Sequence, residues 1–224
     1  MLWSFYPGMT SGDAIAALIE GRTGIIYDQN SAIMSFVWGM LDRLIAGPGL
    51  MLTLQLGIFW TAAAILWEAI YRESLGLGLA AVMFPFMPQI LSQLPMIWKD
   101  IGMAVTLFAA VALIFLASKN RSVVALLLSP AFLFYALAAR LNAIPAVLPI
   151  AIWTGFVAGS IFGFGKRPAA SMAIGAAYCV ALFVTVQLVQ HSITGGRTSY
   201  PFQFVLLYDL AAISVAKGEP RFPA

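Results

Sequence analysis

The sequence is poor in charge. Of its 224 residues only 9% are charged and 62% are hydrophobic, whereas soluble domains carry roughly 25% charged residues. The mean hydropathy is +0.93. Such a chain lacks the polar side chains to cover itself in water, so an ordinary soluble globule, a disordered segment and a coiled coil are all excluded. A single cysteine, Cys179, excludes a disulfide framework and a CxxC metal pair. A single histidine, His191, leaves a His-rich metal site or a Ser-His-Asp triad without material, and no metal site is expected. No GxxxxGK[ST] or GxGxxG occurs, so no glycine-rich loop is expected to cradle a nucleotide. A net charge of +3 spread over the chain makes no basic patch for nucleic acid. Residues 1–9 lack the basic start and apolar run of a cleavable signal peptide.

What the sequence has is long apolar runs. A helix needs about 20 apolar residues to cross about 30 Å of hydrocarbon, and the alternation of a transmembrane strand is missing. Six spans are predicted: Leu50–Ile70, Leu75–Pro95, Ile101–Ala117, Ser122–Ala139, Ala143–Gly163 and Pro168–Gln190. Ser31–Ile45 reads differently. Ile33, Met34, Val37, Met40, Leu41 and Leu44 follow helical spacing, but Asp42 and Arg43 interrupt the run, which predicts an amphipathic helix lying at the interface. Gly155, Gly159 and Gly163 recur every four residues, a spacing that lets helices approach closely. The fold class is therefore all-α: one polytopic transmembrane bundle over residues 50–190, with a first outer loop (1–49) carrying the interfacial helix and an outer tail (191–224).

Loop charge orients the bundle. The three four-residue loops Tyr71–Ser74, Ser118–Arg121 and Phe164–Arg167 hold Arg72, Lys119, Arg121, Lys166 and Arg167. The far longer opposite set holds seven basic residues. Dense basic charge in short loops marks the cytoplasmic side, so the chain is expected in a cell inner membrane with both ends facing outward. Seven of the nine acids then gather outside: Asp13, Glu20, Asp28, Asp42, Asp100, Asp209 and Glu219.

Asp13, Asp28, Lys99, Asp100 and Arg140 thus share one membrane face. Lys99 and Asp100 are adjacent, so on a helix they point about 100° apart and each needs a partner or ligand elsewhere. Charged groups near hydrocarbon are costly and mark function; the simpler role for Lys99 and Arg140 is that of interfacial anchors. Lys and Arg hold phosphate, and a carboxylate can take the proton of an attacking hydroxyl. Together they suit transfer of a group from a phosphate-linked lipid to a hydroxyl. Asp13 has the alternative of capping the helix that follows Ser11-Gly12, and Asp28 that of shaping a turn.

Several stretches resemble the GT-C superfamily of membrane glycosyltransferases, in the bacterial mannosyltransferase and aminoarabinose-transferase group. They are Tyr6-Pro-Gly-Met-Thr-Ser-Gly-Asp13, Tyr27-Asp28-Gln29-Asn30-Ser31-Ala32, Gly47-Pro-Gly-Leu-Met-Leu-Thr-Leu-Gln55, Trp98-Lys99-Asp100, Arg140-Leu141-Asn142-Ala143 and Tyr208-Asp209-Leu210. They cover most of the chain in the family's order. Asn30-Ser31-Ala32 stands where relatives read His-Pro-Pro, and Leu141 where they read His. Relatives also carry a span before the first loop and continue beyond the point where this chain ends at Ala224, so the resemblance reads the chain as truncated. It implies a polyprenyl-phosphate-linked sugar donor and inverting transfer at the outer leaflet. Asp13 would be the base, with Asp28 as second choice. Lys99 and Arg140 would hold the donor phosphate, and Asp100, Asn142 and Asp209 would orient them or contact the sugar. The alternative is an inactive or fragmentary member acting as a lipid-binding or assembly subunit. A transporter fits less well, because transporters bury polar groups at the bilayer midplane and these spans are nearly free of charge in their middles.

Overall fold

A computed structural model describes residues 2–71, 74–165, 167–199 and 202–218. Arg72, Lys166 and Glu219, counted above among the loop charges, lie outside the described residues. The chain is all-α. Its helices are α1 (Leu2–Phe5), α2 (Gly12–Thr23), α3 (Ala32–Leu44), α4 (Gly49–Ile70), α5 (Leu75–Met83), α6 (Pro88–Gln93), α7 (Lys99–Asn120), α8 (Val123–Ala139), α9 (Ile144–Phe162), α10 (Pro168–Thr194) and α11 (Phe202–Lys217). Short 3₁₀ turns sit at Phe84–Phe86 and Leu141–Ala143. Among the described residues the only extended pairing is an isolated bridge between Met9 and Met96.

Four segments are long and apolar enough to cross a membrane: Gly49–Ile70, Lys99–Asn120, Leu141–Phe162 and Pro168–Thr194. Two shorter apolar segments, Leu75–Phe86 and Val123–Ala139, join them. The protein is a multi-pass helical membrane protein. Five of the six expected spans appear as continuous helices with slightly shifted ends. The second does not. Leu75–Pro95 breaks into α5, the 3₁₀ turn and α6, because Pro85 and Pro88 each lack an amide hydrogen and crowd the preceding turn. Pro88 takes the first position of α6, where its missing donor costs nothing. Pro130, by contrast, is carried inside α8. Gln55 secures the chain beyond the break: its buried amide nitrogen donates to the Leu94 carbonyl at 2.8 Å and the Met96 carbonyl at 3.1 Å. That explains how the buried Gln55 is accommodated in α4, since a buried amide must find acceptors.

The opening 49 residues are more structured than a single interfacial helix. Ser11 caps α2 by accepting from the Ala14 amide at 3.3 Å, and Gly24 closes the helix with φ +70°. Ser31 caps α3 by accepting from the Met34 amide at 3.3 Å. The two helices cross at Gly21 and Gly39, where a Cβ on Gly21 would lie 2.8 Å from the Gly39 nitrogen. α3 lies within 1 residue of the expected Ser31–Ile45 helix at each end, yet its faces differ from the expected stripe. Ile33, Met34 and Trp38 are buried, with Trp38 completely enclosed, while Met40 and Leu44 are exposed. α3 is driven into the bundle at its N-terminal half, packed beside Leu52 and Leu56 of α4 and Val105 of α7 in one apolar cluster. The tail is not simply loop either: α10 runs on to Thr194, and α11 follows with Val205, Leu206, Tyr208 and Val215 exposed.

The small-residue repeat divides by role. Gly155 meets the backbone of α10 at Gly175, with a Cβ there falling 2.8 Å from the Gly175 nitrogen, and Gly159 abuts the Ser171 hydroxyl. Gly163 instead ends α9 with φ +88° and has open space around it.

The loops sort into two ends of the bundle. At one end, Met9 bonds Pro95 and Ile97, Ser31 and Gln190 both donate to the Ala138 carbonyl, and Asp28 accepts from Ser199. At the other, Arg121 at the α7–α8 turn donates to the Ser160 carbonyl at 2.7 Å. It thereby satisfies the free C-terminal carbonyls of α9 with a cation.

Candidate functional site

Four charged side chains from three parts of the chain meet at the first of these ends. Asp13 stands in the first turn of α2, and because Ser11 takes the cap its carboxylate is left free of that duty. Lys99 and Asp100 open α7 after Trp98, whose extended backbone (φ −121°, ψ 150°) turns the chain into the helix. Arg140 follows α8 in extended conformation, φ −149° and ψ 113°. The adjacent Lys99 and Asp100 diverge to different partners, as their helical geometry requires. Lys99 Nζ lies 3.6 Å from Asp13 Oδ2. Arg140 grips Asp100 with two parallel hydrogen bonds, Nε to Oδ1 at 2.6 Å and Nη2 to Oδ2 at 2.7 Å. This fork is the strong, directional form of an arginine–carboxylate pair. The Asp100 carboxylate raises the Arg140 pKa, with Asp13 adding a smaller push, so the guanidinium stays charged.

The two pairs face one open cavity of about 360 Å³. Its lining includes Asp13, Asn30, Trp98, Lys99, Asp100 and Arg140. The size falls within the usual range for small-ligand sites. The pairs are unequal. The Arg140–Asp100 fork is locked, whereas the Lys99–Asp13 contact is longer than a hydrogen bond and its Asp13 carboxylate is 77% exposed. Arg140 uses two of its five N–H donors on Asp100 and keeps three for a ligand. The cavity thus offers two cationic donor groups and a loosely held carboxylate, next to an exposed face of Trp98.

Asp28, Asn142 and Asp209 do not join this cavity. Asp28 accepts from the Ser199 amide at 2.7 Å and hydroxyl at 2.6 Å, clasping the α2–α3 loop to the segment after α10. Asn142 is exposed in the 3₁₀ turn beyond Arg140, and Asp209 is exposed on α11. Sequence reasoning left Asn30, Ser11 and Ser31 out of the site, although each lines it. The two serines carried a readable signal, since each precedes an apolar helical run as a cap does. Asn30 carried none.

Apolar cavities open farther along the same helices. One of about 220 Å³ lies among α4, α7 and α8, lined by Leu54, Gln55, Gly102, Val105, Phe132 and Tyr135. Another of about 570 Å³ shares Leu54, Ile58 and Phe132 with it and continues toward Leu113 and Leu128. Among the described residues no group of three or more His, Cys, Asp or Glu side chains comes together as metal ligands. The chain matches no protein-family model, no curated protein and no solved structure.

Proposed function

We propose that the protein is a membrane glycosyltransferase that moves a sugar from a polyprenyl-phosphate donor to an acceptor hydroxyl at the outer face of a cell inner membrane. The observation that carries the reading is the convergence of Asp13, Lys99, Asp100 and Arg140 on one open cavity at the end of an apolar bundle. The separate apolar cavities between α4, α7 and α8 suit a hydrocarbon chain. The resemblance to GT-C enzymes in the stretches around Asp13, Trp98 and Arg140 supports the same assignment.

The chemistry follows from the unequal pairs. The donor phosphate takes the free N–H groups of Arg140 and draws the Lys99 ammonium away from Asp13, where the existing contact is weakest. Asp100 holds the guanidinium plane in place meanwhile. Asp13, released, accepts the proton of the acceptor hydroxyl as that oxygen attacks the anomeric carbon. The bond from that carbon to the phosphate oxygen breaks with its electron pair going to the phosphate, and Lys99 and Arg140 stabilise the charge that develops there. Attack opposite the departing phosphate inverts the anomeric configuration.

Turnover in lipid nanodiscs tests this, read as release of polyprenyl phosphate from hexosyl polyprenyl phosphates. Asp13→Asn, Lys99→Ala and Arg140→Ala should each lose on the order of 100-fold in rate, the scale of losing one aligned charge-stabilising group, while melting close to wild type. Retention of turnover by all three variants would overturn the assignment.

A further inference from the structure

We infer that Asn30 is a sugar-binding residue of this cavity and that Glu20, which lies outside it, is the positioning residue that fixes which end of the Asn30 amide faces the ligand. The inference rests on the proposed transferase reading and adds to it the group that recognises the transferred sugar. Glu20 stands on α2, and both of its carboxylate oxygens are engaged: Oε1 accepts from Asn30 Nδ2 at 3.1 Å and Oε2 from the Ser35 hydroxyl at 2.8 Å. Ser35 is fully buried where α2 crosses α3. Asn30 lines the charged cavity and Glu20 does not.

The chemistry of the contact decides the orientation. An ionised carboxylate only accepts hydrogen bonds, whereas an amide has a donor end and an acceptor end. Glu20 therefore holds the NH₂ end of Asn30 and turns its Oδ1 away. Among the described residues no donor reaches that Oδ1. The neighbouring Ser31 is already committed, donating to the Ala138 carbonyl and accepting from Met34. The cavity otherwise presents the donors of Lys99 and Arg140, which suit phosphate, and carboxylates that those cations already hold. Asn30 Oδ1 is a neutral acceptor aimed by its partner, and a sugar hydroxyl is the group that such an acceptor takes. The exposed indole of Trp98 in the same lining offers an apolar face for the ring.

Two probes separate recognition of the sugar from recognition of the lipid phosphate: undecaprenyl phosphate itself, and undecaprenyl phosphate carrying glucose, mannose, galactose or N-acetylglucosamine. Binding to protein in nanodiscs is followed through tryptophan fluorescence, with the hexosyl lipid that wild type holds most tightly. The readout is the ratio of the two affinities in one sample, in which an unfolded fraction cancels. Asn30→Ala and Glu20→Ala should each reduce that ratio by about tenfold, the scale of one net hydrogen bond, leaving undecaprenyl phosphate binding unchanged. Glu20→Gln, which still offers Asn30 an acceptor, should restore the ratio to within about threefold of wild type. Adding Glu20→Ala to Asn30→Ala should change it no further. If the single variants leave the ratio intact, or weaken both probes equally, the inference is overturned while the transferase reading stands. If wild type binds neither probe, both are overturned.

Discussion

Gly21→Ala is the sharpest test of how the first 49 residues build the site. A Cβ on Gly21 would stand 2.8 Å from the Gly39 nitrogen and 2.9 Å from its Cα, and still closer to the Ser35 carbonyl. Carbon atoms in good contact lie about 3.5–4.0 Å apart, so α2 and α3 must separate by roughly 1 Å, and backbone on both sides leaves no flexible side chain to yield. Overpacking of this kind costs about 1–3 kcal/mol, against which alanine regains about 1 kcal/mol of helix propensity. The net loss is about 0–2 kcal/mol, and about 1–3 kcal/mol relative to a glycine-to-alanine change that regains the same propensity without a clash. The displacement matters more than the stability, because α2 carries Asp13 and Glu20 while Asn30 sits just before α3. A misplacement near 1 Å can cost about 100-fold in rate. Thermal melting in nanodiscs and turnover, read side by side, make the assay. Gly57→Ala on α4, where an added Cβ meets nothing within 4 Å, is the control and should melt at or slightly above wild type. Gly21→Ala melting with Gly57→Ala, at undiminished turnover, would refute the close crossing of α2 and α3.

Two further expectations concern acid response and orientation. Asp42 accepts from Arg22 Nε and Nη2, both at 2.8 Å, and from the Gly47 amide at 2.7 Å. The Arg22 hydrogen bonds, then the Gly47 amide, hold its pKa below the ordinary 3.8. Its stabilising contribution is therefore complete above that ordinary value and fades as pH falls through the lowered folded value. Amide exchange at Gly47 should stay protected from pH 7 down to about 5 and open only in stronger acid, whereas Asp42→Asn should leave Gly47 less protected at pH 7 and remove its own share of the acid response; wild type opening already near pH 6 would contradict the pairing. For orientation, single cysteines at Ser11 and Ser118 in a Cys179→Ala background should react with a membrane-impermeant maleimide from opposite sides. The cysteine at position 11 should react on intact cells and that at 118 only after permeabilisation; the reverse pattern would invert the topology.

The membrane bundle was legible because a helix that must satisfy its own backbone in lipid leaves an apolar run of fixed length. Where proline competes with that pattern, the reading failed: Leu75–Pro95 is largely apolar and uncharged, yet Pro85 and Pro88 divide it. α2 was foreseen only as the short helix that Asp13 could cap, and its packing stayed hidden because it depends on Gly21 meeting Gly39, a contact 18 positions away in sequence that no local pattern signals. The charged site was partly legible for a different reason. Adjacent opposite charges on a helix must find separate partners, so Lys99 and Asp100 each called for a partner elsewhere, and the fold supplies Asp13 and Arg140. The sequence could not say that Asp28 is spent on Ser199, since that pairing joins residues 171 positions apart. Nor could it reveal that Glu20 reaches Asn30, because which residues face each other there is set by the crossing of α2 and α3.

Binding of undecaprenyl phosphate to Asp13→Asn and Lys99→Ala tests most directly the claim that a phosphate parts Asp13 from Lys99. Removing the Asp13 charge frees the ammonium and should tighten binding, whereas removing Lys99 should loosen it. Equal weakening by both substitutions, or no change from either, would contradict the account.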